Sequence, residues 1–154
     1  MNPDFMRETI RLAIESVRTG GGPFGAVMVR DGTVVGRGAN QVTARNDPTA
    51  HAEIVAIRDA CERLKTFQLS DCDLYASCEP CPMCLGAIYW ARIKWVYYAG
   101  ARSDAAEAGF DDDFIYREMA VPFEGRTLTM EQVMREEALA AFKAWAGKTD
   151  KVPY

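Results

Sequence analysis

The sequence predicts an α/β fold, a three-layer α/β/α sandwich with a mixed central sheet, on three observations. Segments with helical apolar spacing alternate with short Val-rich or apolar runs, the pattern of helices packed on a sheet. An Asp31-Gly32 dipeptide between two such runs marks a tight hairpin, which forces part of the sheet to be antiparallel. No internal repeat, low-complexity tract or linker interrupts residues 1–154, so a single domain is expected.

In chain order, Met6, Ile10, Ala13, Ile14 and Val17 repeat at helical spacing from Phe5 to Thr19, and Gly20-Gly21-Gly22-Pro23 stops that helix. Gly25 to Arg30 and Thr33 to Gly38 are the hairpin strands, and Asn40 to Asn46 reads as polar loop. Asp47-Pro48-Thr49 offers either an Asp cap with Pro in the first turn or a Thr cap one step later. The helix after it carries an apolar stripe of Ile54, Ile57, Cys61 and Leu64, with His51 and Glu53 directed inward near its start. Asp73 to Ser77 is expected as a buried strand. Cys81, Cys84, Ile88 and Ala91 then fall on the inner face of a helix that begins at Cys81. Ile93 to Ala99 reads as a strand, Gly100 to Asp113 as a long loop and Thr127 to Met130 as a last strand. Met134, Ala138, Ala141 and Trp145 mark a terminal helix, followed by a charged tail.

Composition narrows the function classes. The chain is 49% hydrophobic and 26% charged, ordinary for a globular protein. Its formal net charge of -4 argues against a large nucleic-acid surface, which needs clustered Lys and Arg, and favours a small uncharged substrate. Five cysteines, two of them in metal-type spacing, point to a reducing compartment, and a cytoplasmic location is expected. Met1-Asn2-Pro3-Asp4 lacks the basic region and apolar run of a signal peptide, so none is expected. No stretch approaches the ~20 apolar residues of a membrane span.

The chemistry concentrates in His51-Ala52-Glu53 and Cys78-Glu79-Pro80-Cys81-Pro82-Met83-Cys84. A C-x-x-C thiolate pair plus one imidazole makes three protein ligands and leaves tetrahedral zinc a fourth position, the arrangement of a hydrolytic rather than a structural site. His51, the single histidine of the chain, is therefore expected to bind one zinc ion per subunit with Cys81 and Cys84. Two helix N-termini converge there, and their partial positive charge favours the thiolate form. Residues two apart on a helix point in different directions, so Glu53 is expected to carry protons rather than bind the ion. Such a centre attacks a ring carbon bearing an amine and expels ammonia. Cys61 is expected to pack in a helix stripe, Cys72 to lie near a turn and Cys78 to lie beside the site, and none of them is assigned to metal.

Through His51-Ala52-Glu53 and Pro80-Cys81-Pro82-Met83-Cys84, the chain resembles the cytidine-deaminase-like superfamily. Within it, Gly21 to Val29, Asn46 to Arg58, Ser77 to Arg92 and Asp104 to Tyr116 are similar to the bacterial guanine deaminases. That resemblance implies zinc-dependent hydrolysis of guanine to xanthine and ammonia. It implies that Asn40 hydrogen-bonds the purine, that Phe24 and Trp90 wall the pocket, that Asp112 accepts a ring N–H, and that the backbone at Ala52 touches the base. It further implies a domain-swapped homodimer, in which the segment from about residue 101 crosses over and Tyr154 closes the partner's site. No membrane or nucleic-acid partner is expected. A tRNA adenosine deaminase shares Asn46-Asp47-Pro48-Thr49-Ala50-His51-Ala52-Glu53; the acidic charge and the Asp-rich segment after Ala105 speak against it. A guanosine or cytosine deaminase and a zinc-stabilised binding module are the other rivals.

Overall fold

A computed structural model describes residues Met1–Pro153. It separates into two compact units, Met1–Asp113 and a second one beginning at Phe114. The first holds a four-stranded sheet in the order β2-β1-β3-β4, made of β1 (Gly25–Arg30), β2 (Thr33–Ala39), β3 (Cys72–Cys78) and β4 (Trp95–Gly100). β1 pairs antiparallel with both β2 and β3, and β3 pairs parallel with β4. The sheet is mixed, as the hairpin requires. Asp31 (φ 49°) and Gly32 (φ 72°) both adopt the left-handed region, the backbone of the tight turn favoured between twisted strands.

Alternation along the strands gives the sheet two apolar faces. Ala26, Met28 and Leu74 face α3 (Ala52–Leu64) and α4 (Pro82–Trp90), packing with Ala52, Ala56, Ala60 and Ile88. Val27, Val29 and Tyr75 form a second cluster with Phe5, Met6 and Leu12 of α1 (Pro3–Arg18). The expected three layers are thus present.

Both flanking seams are built from smaller residues than apolar spacing selects. On α1 the buried residues are Thr9, Ala13 and Ser16, whereas Ile10, Ile14 and Val17 are 40, 51 and 53% exposed. The cause is close approach: a Cβ on Gly25 would fall against the Thr9 carbonyl and 2.7 Å from the Ala13 nitrogen, so only short side chains fit that face. On α3 the deep seam is Ala52, Ala56 and Ala60, while Ile57, Cys61 and Leu64 are only partly buried. Gly38 of β2 lets α3 approach, since a Cβ there would fall on the Ala52 carbonyl and 2.6 Å from the Ala56 nitrogen.

Several boundaries differ from expectation. α1 starts at Pro3, with the Asn2 side chain accepting from the Asp4 N–H. Neither Asp47 nor Thr49 caps α3: the N-cap is His51, and Asp47 Oδ1 instead accepts from the N–H and hydroxyl of Thr49. The Asn40–Asn46 loop contains a one-turn helix, α2 (Val42–Arg45), ended by Asn46 at φ 49°. The stretch read as a loop from Gly100 to Asp113 contains α5 (Arg102–Glu107). Asp104 at its third position accepts from the Ala101 N–H at 2.7 Å, a local bond that overrides the Gly and Asp content.

In the second unit, α6 (Asp113–Ala120, beginning at the boundary), a 3₁₀ turn (Phe123–Gly125) and α7 (Arg135–Gly147) follow one another. Thr127 to Met130 is not a strand. The Thr127 N–H and hydroxyl both donate to Glu118 Oε2, so local side-chain bonds take the place of a ladder. None of these elements contains a buried residue. No helix among the described residues is long and apolar enough to cross a membrane.

Candidate functional site

The two proposed ligands at helix starts are themselves the caps. His51 is the N-cap of α3 and Cys81 the N-cap of α4, each with extended backbone and no side-chain capping hydrogen bond. N-caps usually carry a side chain that folds back onto the helix. Here imidazole and sulfur are free to point away, toward each other. Pro82 in the first turn of α4 lacks an N–H that would need a partner, and Cys84 follows one turn in, fully buried.

His51 Nδ1 lies 3.5 Å from Cys81 Sγ and 3.6 Å from Cys84 Sγ, and the three ligand atoms all fall within 4.8 Å of one another. Zinc bonds of about 2.3 Å to sulfur and about 2.05 Å to nitrogen, at the tetrahedral angle, set an S···N edge of about 3.6 Å. The observed separations therefore fit a zinc ion without rearrangement. The Cys84 thiol donates to Glu53 Oε2 at 3.4 Å, and it stands beside Cys81 in the same cluster. The bonds from Cys84 and His51 pull the Cys81 thiol down to about 4, while the bond to Cys81 and burial push Cys84 up. A divalent cation is what allows the second thiolate to form as well.

Glu53 is 8% exposed, on the first turn of α3, and burial pushes its carboxyl above the ordinary range. A carboxyl placed so, its charged form disfavoured by burial, is suited to pick up a proton and release it again. It sits beside the ligand cluster yet outside the ligand set, as the spacing from His51 predicts.

A cavity of about 510 Å³ opens onto this centre, within the ~300–1,000 Å³ usual for small-molecule sites. His51, Glu53 and Cys81 line it together with Phe24, Asn40 and Asp112. Asp112 Oδ1 is buried and has no hydrogen-bond partner among the described residues, and burial raises its carboxyl. An unpaired buried acceptor is costly, so the atom is poised for a donor from outside the chain. Phe24 meets Phe110 edge to face with ring centroids 5.0 Å apart.

Other assigned residues lie elsewhere. Trp90 is 64% exposed, with the Arg92 guanidinium 5.9 Å from its ring centroid, and does not line the cavity of its own chain. Ala52 is fully buried, in the core cluster beneath the cavity rather than among its lining residues. Tyr154 lies outside the described residues. Cys78 lines the cavity and donates to the Ala101 carbonyl at 3.5 Å, Cys61 packs against the core, and Cys72 is buried with its thiol pushed up to about 12 by burial. Glu79 and Phe110, given no role from sequence, also line the cavity. Phe110 stands two residues before Asp112 in the same connection, and that proximity was the available signal.

A His-Cys-Cys centre at two helix starts, with a buried glutamate beside it and a mixed sheet beneath, defines a zinc-dependent hydrolytic deaminase. The chain belongs to the family described as the cytidine and deoxycytidylate deaminase zinc-binding region, whose model matches residues 2–100. It is 57% identical over 151 residues to a guanine deaminase of Bacillus subtilis, covering 97% of each chain. The X-ray structure of guanine deaminase from Bacillus subtilis superposes with a TM-score of 0.96 at 56% identity, covering 100% of this chain and 99% of that one. A tRNA-specific adenosine deaminase of Agrobacterium fabrum is 44% identical over 106 residues, covering 65% of this chain and 70% of that protein.

Proposed function

We propose that this enzyme hydrolyses guanine to xanthine and ammonia, and that the free base is its substrate. The observation that carries the reading is the pairing, in one cavity, of Glu53 beside the ligand cluster with a buried oxygen of Asp112 that has no partner among the described residues. A guanine ring presents N–H donors, and a desolvated carboxylate oxygen is a strong acceptor for one of them. The Bacillus subtilis relative aligns over 97% of the chain and supports the same substrate.

His51, Cys81 and Cys84 would hold the zinc. Bound there, the ion supplies a Lewis acid whose open position lowers the pKa of water to about 7. Asp112 and Asn40 orient the base over the ligand cluster, and Phe24 with Phe110 excludes water from its faces. Glu53 takes one proton from water as oxygen bonds to the ring carbon that carries the amine, and passes it to the adjacent ring nitrogen. A second proton moves through the same carboxyl to the exocyclic nitrogen. The C–N bond then breaks, ammonia leaves, and the ring carbon becomes a carbonyl. Glu53 returns to its starting state.

The reading includes a homodimer formed by exchange of the segment from about residue 101, with Trp90 and Tyr154 serving the partner's site. Its support is physical. Phe114, Met119, Phe123, Leu128 and Phe142 are all more than half exposed, although apolar side chains gathered on one unit usually find cover. The free thiols Cys61 and Cys72 suit a reducing compartment, where the reading places the enzyme.

The test is ammonia release from guanine, guanosine, cytosine, adenine and a tRNA anticodon loop by zinc-loaded protein. Guanine is expected to be the preferred substrate; activity on another base with guanine inert would overturn the assignment. Chain truncated after Lys151 should sediment as a dimer and keep its zinc while turning over guanine more slowly. A monomeric parent, or an unaffected truncated enzyme, would remove the exchange or Tyr154 from the account.

A further inference from the structure

Asn40 follows β2 and faces the cavity that holds Glu53 and Asp112. All but one of its polar groups are engaged within the chain. Its backbone N–H donates to the Phe24 carbonyl at 3.1 Å, and its own carbonyl accepts from Ser16 Oγ at 3.3 Å. The side-chain oxygen Oδ1 accepts from two main-chain groups, the N–H of Gly22 at 3.4 Å and that of Val42 at 3.3 Å. Two converging donors settle which end of the amide is which, because an NH₂ group cannot accept. What remains is Nδ2, with no bond among the described residues.

The residues that impose this arrangement lie outside the reacting centre. Ser16 is 3% exposed on the inner face of α1, and its carbonyl also accepts from the Gly21 N–H at 2.7 Å, so it anchors both Asn40 and the glycine turn. Gly22 packs directly on the amide: a Cβ there would stand 3.2 Å from Asn40 Cγ and 3.4 Å from both Oδ1 and Nδ2. That is tighter than an ordinary contact, and the amide would have to give way. We infer that Ser16 and Gly22 are positioning residues that hold the Asn40 amide with its NH₂ toward the substrate. This wall of the cavity is then a hydrogen-bond donor, and the purine atom it reads is an acceptor carrying no hydrogen. Asp112 is its complement, an acceptor wall that reads a ring N–H. The inference rests on the proposed purine substrate and adds the polarity of its recognition.

The experiment is a binding comparison in zinc-loaded Glu53→Gln protein, where turnover does not interfere. Guanine is titrated alongside 3-deazaguanine, 7-deazaguanine and 9-deazaguanine, each lacking one ring nitrogen, and 2-aminopurine, which lacks the carbonyl oxygen together with the neighbouring ring N–H. Gly22→Ala and Ser16→Ala should each weaken guanine binding by about three- to tenfold, the range for a neutral hydrogen bond made poorly. One of the four analogues, the one missing the atom that Asn40 reads, should bind parent and variants equally. A merely structural role would instead weaken all five ligands alike, and that result overturns the inference, as does unchanged guanine affinity in both variants. Zinc content and unfolding midpoint identify a variant that fails to fold, and Gly22→Ala, whose backbone conformation alanine tolerates, then decides alone. Ammonia release from guanine by the parent enzyme is measured separately. If it is absent while guanine binds, the proposed reaction fails and the binding comparison still judges Asn40. If guanine does not bind at all, both fall.

Discussion

Replacing Glu53 with glutamine separates the proton carrier from the metal site. The amide keeps the shape of the side chain on the first turn of α3, where the carboxyl is 8% exposed and its Oε2 stands 3.4 Å from Cys84 Sγ. The ligand atoms of His51, Cys81 and Cys84 form their cluster without it, so zinc content should stay at one per chain. Stability should hold or rise, because burial already disfavours the ionised carboxyl, which the neutral amide removes. Turnover is another matter. A positioned acid/base contributes about 10²–10⁴-fold, which corresponds to about 3–5 kcal/mol of barrier at about 1.4 kcal/mol per decade. Glutamine can neither take the proton from water nor return it to the departing amine. The assay is single-turnover ammonia release by protein whose zinc has been quantified by atomic emission. Full activity in zinc-loaded Glu53→Gln would refute the role, and loss of zinc from that variant would show Glu53 to be a structural partner of the thiols instead.

Three further outcomes are expected. Burial raises the Asp112 carboxyl, so its ability to accept a ring N–H is present above that raised value and is lost as pH falls through it; the KM for guanine should rise on acidification from a higher pH than an ordinary carboxylate gives. In Asp112→Asn that limb of the KM profile should vanish, and its persistence would exclude Asp112 as the titrating group. In zinc-free protein Cys81 is pulled down to about 4 while Cys78 and Cys84 are pushed up, so at pH 6 a disulfide reagent should label Cys81 rapidly, and added zinc should block it; labelling of Cys81 no faster than that of Cys78 would contradict its lowered value. Gly38→Ala would drive a methyl onto the Ala52 carbonyl at the start of α3, costing about 1–3 kcal/mol by overpacking. Its unfolding midpoint and zinc affinity should fall together, and a normal midpoint would show that the seam yields.

The metal centre was legible because its chemistry is local. His51-Ala52-Glu53 and Cys81-Pro82-Met83-Cys84 each fix their own spacing at the start of one helix, and one imidazole with two thiols is a ligand set that suits zinc. The hairpin was equally legible, since Asp31 and Gly32 alone supply its two positive φ angles. The stripe on α1 was misread for a reason the linear sequence does not carry. Ile10, Ile14 and Val17 have the apolar period, but Gly25 brings the sheet so near that Thr9, Ala13 and Ser16 take the buried face.

By itself, then, the sequence determined the mixed α/β/α class and the His51, Cys81 and Cys84 group that could hold a metal ion, and it singled out Glu53 as the candidate proton carrier, because periodicity, turn chemistry and donor type act over a few residues. Only the tertiary structure decided that His51 and Cys81 serve as helix caps whose side chains are free to meet. It also decided that Asp112 keeps a buried oxygen without a partner among the described residues and that Phe110 faces Phe24. These depend on which backbones approach one another across the cavity, and close approach is set by small residues such as Gly22, Gly25 and Gly38 at positions where no local pattern announces them.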